Sequence, residues 1–511
     1  MQVKAVNRRA GKTWRIGLAA FALLLVAIVA VVGWRTANAG RSAKREPVPL
    51  APLDFDLQRA ASRLGEAIRI RTIGSHEDPQ AGAGELAQFR DWLTQAYPAF
   101  HAQATRQIVG DGTLLYEWPG RDASLAPIIL MAHQDVVPAE TADRWTFPPF
   151  SGEVTDTAVT GRGAIDNKGS LVAMLEAAEA LAVTGGQPAR TVFFVFGHDE
   201  ETRGEGAAAA ARVLAERGVQ ADLVLDEGSI VVADHPVTGG AVALIGITEK
   251  GYATVRITAR AEGGHASAPP RETAVAVLVR AVEAVLGNPF PRRYDGATRA
   301  MLEALAPEAP LPARVAIANP WLLRGVLVQQ LGATPQGAAM LQTTIAPTML
   351  SGAARENVLA ADASATLNLR IAPGDTVESV LQHLRQSLDG LPVMLELIGE
   401  ARDPAPVSPT DAEGYRLIAG LAHALFGVTV APAPVIAATD SRSMTALSRH
   451  IYRFQPVQLT LAETQRIHGI DEQLRLDALE KMIRFYGALL GGAGGAGVTA
   501  ASASTSPATI R

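Results

Sequence analysis

Three unbroken apolar runs, each ending in acids or histidine, organise the first half of the chain. They are "APIILMAHQD" (126–135), "TVFFVFGHDEE" (191–201) and "ADLVLDEG" (221–228). Runs of this length without polar alternation predict strands covered on both faces. Helical periodicity fills the intervals. Leu171, Met174, Leu175, Ala178 and Leu181 share one face of a helix over 171–182, and a further amphipathic helix is expected over Leu57–Ile70. Strands alternating with helices predict an α/β fold around a largely parallel sheet. In such open sheets, ligands collect beyond the carboxyl ends of the strands. Here three strands deliver ionisable side chains to that edge, where burying them is costly without partners.

From Tyr252 the pattern changes. "YATVRITARAE" (252–262) and "ASATLNLRIAP" (363–373) alternate as half-exposed strands do, and 273–287 and 378–388 have helical spacing. An α+β lid domain over 251–403 is therefore expected, inserted between two parts of a catalytic domain (51–250 and 404–490). Within the insert, 288–350 is Pro-containing and carries no clear pattern. The α/β texture then resumes, with a helix over 411–427, a strand over 455–461 and a helix over 473–490. The last segment, 491–511, is low-complexity and predicts disorder.

The N-terminus changes the picture further. Ile16–Trp34 is a charge-free stretch of 19 residues preceded by Lys4, Arg8, Arg9, Lys12 and Arg15. It is long enough to span a bilayer. The preceding charge favours the N-terminus inside and the body of the protein on the exported side, an asymmetry that Arg35, Arg41, Lys44 and Arg45 weaken. Residues 1–50 thus read as a single-helix membrane anchor and linker. The alternative is a secreted protein whose signal is cleaved near "ANA" (37–39), although such apolar cores usually run about 7–15 residues. A chain of 511 residues is long for one core and implies at least two units. With 46 basic and 51 acidic residues, the net charge of −5 offers no electrostatic basis for nucleic-acid binding. The chain contains no cysteine, so disulfides and thiolate ligands are excluded and a metal site must use His, Asp and Glu.

The candidate chemistry lies at the strand ends: His133, Asp135, Asp166, His198, Asp199, Glu200, Glu201, Asp226 and Glu227, with His468 near the C-terminus. Histidines mixed with carboxylates form the usual ligand set of zinc and similar divalent ions. Two ions about 3.5–4 Å apart need one bridging carboxylate and two flanking ligands each, and the chain can supply these with a carboxylate left over as a base. Asp135, two residues after His133, is placed to hold the other ring nitrogen and fix its tautomer.

Taken in order, "HQDVVP" (133–138), "GRGAIDNKG" (161–169), "GHDEE" (197–201), "LDEG" (225–228) and "IHGIDE" (467–472) resemble the co-catalytic zinc metallopeptidase family of carboxypeptidase G, aminoacylase and succinyl-diaminopimelate desuccinylase. "GHDEE" with "DNKG" is most similar to the branch of vacuolar carboxypeptidase S and the N-acyl-amino-acid hydrolases. The resemblance implies two divalent metal ions, Zn2+ by family. His133 and Asp226 would hold one, Glu201 and His468 the other, with Asp166 between them and Asp135 orienting His133. Of the adjacent acids Asp226 and Glu227, only one can face the metals, and Asp226 is the expected ligand. Glu200 would be the general base. The family's cis peptide after the bridging aspartate would fall between Asp166 and Asn167. In the lid, "GGHASAPP" (263–270) would supply His265 as a carbonyl-polarising group, often reaching across a homodimer formed through the lid. Asn357 and Arg370 would position the substrate and grip its free carboxylate, which suits the planar fork of Arg. "ATDSR" (438–442) would line the cleft.

The expected protein is accordingly a hydrolase, a metallocarboxypeptidase or N-acyl-amino-acid amidohydrolase, acting on small peptides or N-acyl amino acids. The alternatives are a deacylase or desuccinylase of a non-peptide metabolite and an exported binding protein without catalysis.

Overall fold

The alternation of buried faces explains why the central strands are apolar throughout. In the computed structural model, which describes residues 3–41, 48, 50, 52–78 and 80–492, strands Ile128–His133, Val192–Gly197 and Leu223–Asp226 are buried along their whole length. Ile128, Leu130, Phe194, Phe196 and Leu225 face one hydrophobic cluster; Ile129, Met131, Phe193, Val195 and Val224 face another. Helices Leu57–Arg69, Lys168–Val183, Glu413–Phe426 and Leu476–Gly491 contribute to the first layer. Helix Glu205–Glu216 and the 3-10 turn Asp440–Ala446 contribute to the second.

The sheet has ten strands. Its centre is parallel: Val192–Gly197, Ile128–His133, Leu223–Asp226 and Ile451–Arg453 run side by side in one direction. Antiparallel pairs occur on both flanks, among them Thr113–Trp118 with Val192–Gly197 and Val231–Val232 with Val242–Glu249. The domain is therefore α/β with a mixed sheet, parallel where the ionisable residues emerge.

Two elements differ from the sequence pattern. The central strand is Ile451–Arg453, and only Gln458–Leu459 of the expected 455–461 strand makes a ladder. Pro456 has no amide hydrogen to donate there. Residues 473–475 pair with Ala158–Thr160, so the last helix starts at Leu476.

The four strands Thr344–Ser351, Asp362–Ile371, Gly251–Arg260 and Val393–Arg402 form a separate antiparallel sheet in that order. Helices Ala274–Gly287 and Val377–Ser387 pack on one face of it, against Ala253, Val255, Ile257, Leu367 and Leu369. Tyr252 and Arg370, opposite each other in register, belong to the other face. The unassigned 288–350 segment contains four helices: Gly296–Leu305, Leu311–Ala318, Pro320–Leu331 and Pro335–Leu341. They build their core with Val242, Ala431 and Ala433 of the large sheet rather than with the lid. The N-terminal helix Val3–Ala39 ends against them: Arg35 Nε donates to the Ala318 carbonyl at 2.8 Å, and Ala39 packs on their core. The low-complexity tail from 493 lies outside the described residues.

Candidate metal centre

His133 ends a fully buried strand and is 1% exposed. Its Nδ1 lies 2.9 Å from the main-chain oxygen of Asp135, and that oxygen can only accept. Nδ1 therefore carries a proton, the tautomer that leaves Nε2 free for a ligand. Nε2 faces Asp166 Oδ1 at 2.9 Å and Glu227 Oε1 at 3.3 Å. On the other side, His468 Nε2 is 3.1 Å from both Asp166 Oδ2 and Glu201 Oε1. Asp166 thus offers one oxygen to each histidine, and the Asp166–Asn167 peptide that follows it is cis. Ligand atoms of His133, Asp166 and Glu201 lie within 4.8 Å of one another, as do those of His133, Glu200 and Glu227.

The electrostatics fit cations at this place. Four carboxylates and two imidazoles converge, and the acids pay for their crowding. Burial, then the charge of Asp166, raises Glu227 to about 7. Burial and the neighbouring acids Asp440, Glu227 and Glu201 push Glu200 well above its ordinary value, against the pull of His133. Burial opposes protonation of His133, but the Glu227 charge and bonds to Asp135 and Asp166 outweigh it and raise its pKa. Hydrogen bonds to Asp166 and Glu201 raise His468 to about 10. Burial works against ionisation of Asp166, yet the two histidines hold it well below the usual carboxylate range. Divalent ions bind such imidazole nitrogens and carboxylate oxygens in place of protons.

Several residues hold the cluster in place. Asp135 does so through its carboxylate as well, accepting from the amides of Glu200 and Glu201 at 3.2 and 3.0 Å. Asp199 accepts from the amides of Glu205 and Gly206 at the start of the following helix, and His198 Nδ1 meets Thr113 Oγ1 at 2.8 Å. Of the four ionisable residues that end this strand, two reach the cluster and two build the turn.

Asp226, the expected ligand, is engaged by main-chain amides. Its Oδ2 accepts from the Ser441 amide at 2.8 Å and its Oδ1 from the Glu227 amide at 2.9 Å. The first bond ties its carboxylate to the 438–442 loop, and Glu227, held by Asn167 Nδ2, lies beside His133.

Glu472 is a structural participant that sequence reasoning left without a role, although it closes the "IHGIDE" segment. Fully buried, it accepts from the amides of Gly163, Ile165 and Asp166 and from Arg162 Nη1 at 2.6 Å. Arg162 Nη2 in turn donates to the carbonyls of His468 and Gly469. One buried ion pair therefore fixes the turn bearing Asp166 and the loop bearing His468 together.

The cluster opens on a cleft of about 1690 Å³ between the catalytic sheet and the lid. Arg370 lines it, its guanidinium 5.1 Å from the Tyr252 ring, and so do Thr439 and Arg442 of the 438–442 loop. Farther along, Leu244, Met301, Met340, Ile398 and Ile436 make the wall apolar. His265 and Asn357 stay outside the cleft. They neighbour each other on an exposed two-stranded pairing of the lid, where the Ala266 amide donates to Asn357 O and the Ser267 amide to His265 Nδ1.

The model of peptidase family M20/M25/M40 matches residues 129–491, a span that holds the whole cluster. The chain belongs to this family. Its similarity to the probable carboxypeptidase S-like 2 of Dictyostelium discoideum is 35% identity over 433 residues, covering 83% of each chain. The N-fatty-acyl-amino acid synthase/hydrolase PM20D1 of Homo sapiens is 34% identical over 456 residues, 87% of this chain and 90% of that one. Among solved structures, the M20 family metallo-carboxypeptidase Sso-CP2 of Sulfolobus solfataricus superposes with a TM-score of 0.63 at 16% identity, covering 85% of this chain and 99% of that chain. The dipeptidase Dug1p of Saccharomyces cerevisiae gives 0.58 at 14% identity, covering 86% and 98%. As an M20 member the protein is a hydrolase of the metallopeptidase and amidohydrolase type, and both its fold and its carboxypeptidase S-like branch agree with the motifs read from the sequence.

Proposed function

We propose that this M20 hydrolase cleaves the amide bond of peptides or N-acyl amino acids bearing a free carboxylate, with two divalent ions, Zn2+ by ligand type. The observation that carries this reading is Asp166, which turns one oxygen to His133 and the other to His468. His133 with Glu227 would hold one ion and His468 with Glu201 the other, Asp166 serving both. Such ions polarise a carbonyl and lower the pKa of coordinated water from 15.7 towards about 7.

The remaining work falls to side chains of this chain. Glu200, half-buried beside the cluster, takes the proton of the attacking water and returns it to the leaving nitrogen. Arg370, stacked on Tyr252 in the cleft, receives the substrate carboxylate. Asp135 sets the ring of His133 and the backbone of both glutamates. His265 and Asn357, exposed on the lid, would join the site of a second copy in a homodimer formed through the lid and act on the scissile carbonyl. The apolar wall at Met301, Met340, Ile398 and Ile436 favours an N-acyl amino acid with a hydrophobic acyl group over a small dipeptide.

The N-terminal helix is proposed to stay attached as a membrane anchor, with the catalytic body on the exported side. Leu18–Ala39 is apolar and long enough to cross a bilayer. Residues around the alternative cleavage site at 37–39 are engaged in the fold: Ala39 packs on the helical core, and Thr36 just before the site is buried, its hydroxyl accepting from Asn319 Nδ2.

Glu200→Gln is the decisive variant. Turnover of N-acyl amino acids should fall by about 10²–10⁴-fold, the range for loss of a general base, while metal analysis still finds two ions per chain. Loss of metal would show that Glu200 is a ligand. Undiminished activity after chelation would end the metal mechanism, and equal rates on carboxyl-blocked analogues would end the role of Arg370.

A further inference from the structure

Helix Pro320–Leu331 has the wrong exposure for its sequence. It reads "PWLLRGVLVQQL", apolar nearly all round, and such helices are ordinarily buried. Here Leu327 is its one fully buried residue. Trp321, Leu322 and Val326 are 54, 52 and 48% exposed, and Leu311 on the preceding helix is 64% exposed. Singly exposed apolar residues need no explanation, whereas a contiguous set of large ones marks an interaction surface.

The position of the helix indicates what covers it. The apolar N-terminal helix ends at its base. Arg35 bonds the Ala318 carbonyl, and Asn319, just before Pro320, bonds Thr36. Trp34 on the N-terminal helix is 67% exposed. Trp321 lies beside Arg35, and both line a shallow hollow with Arg299, Arg324, Tyr294 and Pro320. Tryptophan with arginine is the side-chain signature of the bilayer–water boundary, where the ring enters the headgroup layer and the cations meet anionic lipid. The exposed helix therefore continues the surface on which the apolar anchor leaves the folded body.

We infer that helix Pro320–Leu331 is a second membrane contact, lying in the headgroup layer of the bilayer that the N-terminal helix crosses. Trp321, Leu322 and Val326 enter the apolar side of that layer, and Arg35 and Arg324 meet anionic headgroups. This inference rests on the reading of the N-terminal helix as a retained anchor.

Because the chain has no cysteine, single thiols can be placed in the full-length protein without background. Trp321→Cys, Leu322→Cys and Val326→Cys would each carry an environment-sensitive fluorophore, with Leu24→Cys in the anchor and Val183→Cys, 68% exposed on the catalytic domain, as references. The proteins are reconstituted in vesicles of phosphatidylethanolamine and phosphatidylglycerol containing spin-labelled lipid. Quenching at 321, 322 and 326 should exceed that at 183 several-fold and fall when phosphatidylglycerol is replaced by phosphatidylcholine. Quenching at 24 with water-like emission at 321, 322 and 326 would overturn the second contact and keep the anchor. Water-like emission at all positions, 24 included, would overturn both.

Discussion

Glu227 and Asp226 are neighbours with different partners, and the tasks proposed for them are separable by measurement. Glu227 faces the imidazole of His133, so Glu227→Gln should lower metal content and cut activity by more than about 100-fold. Asp226 instead satisfies the Ser441 amide from a buried position. Asp226→Asn should leave metal content near two and cost about 1–3 kcal/mol of stability, the typical price of a disturbed buried hydrogen bond. Metal analysis beside urea unfolding separates the two outcomes. Most cluster residues were legible in the sequence because each follows an apolar run or a Gly-rich turn. Which of the adjacent acids lies beside His133 was not, since that depends on a backbone turn and on a partner 215 positions away.

At the scale of elements, the turn 161–166 and the loop 467–472 are held as one piece by Glu472 and Arg162. Both are buried, and removing one leaves the other charge unpaired. Glu472→Ala should cost about 3–5 kcal/mol, and should loosen metal binding without touching any ligand; thermal unfolding and metal titration would show both effects. Lys250 plays a related part where the chain leaves the catalytic sheet for the lid. Its Nζ donates to the carbonyls of Ala339 and Gln342, and burial, then the nearby Arg370, lowers its pKa from 10.5 to about 8. A lysine with a lowered folded pKa binds fewer protons folded than unfolded between those values. Stability referred to a Lys250→Met variant should therefore rise as pH increases from about 8 to 10.5, by up to about 3 kcal/mol. Urea midpoints of both proteins at pH 7.5 and 9.5 test the sign. The paired strands of the lid were visible as alternation, and the parallel strands as apolar runs. The helices of 296–341 were not, because Pro310, Pro320 and Pro335 interrupt the spacing while serving as helix starts or caps in the structure.

The whole molecule poses a different question, because His265 and Asn357 stand apart from the cleft that contains Arg370. If the lid of one copy completes the site of another, two inactive variants should rescue each other. His265→Ala mixed with Glu200→Gln, after subunit exchange, should recover about one quarter of wild-type activity: half of random dimers are mixed, and each has one complete site. No recovery in a demonstrably mixed dimer would place His265 in its own chain's site.

The helical unit that docks the N-terminal helix through Ala318 also forms the far end of the cleft, through Met301 and Met340 on two of its other helices. If that helix is a retained anchor, distance along the chain becomes proximity to lipid at the place where an acyl tail would lie. For an amphiphilic substrate, the quantity that sets turnover is its mole fraction in the membrane and not its amount per litre. Added inert lipid would then slow the reaction by surface dilution, with the bulk composition of the solution unchanged.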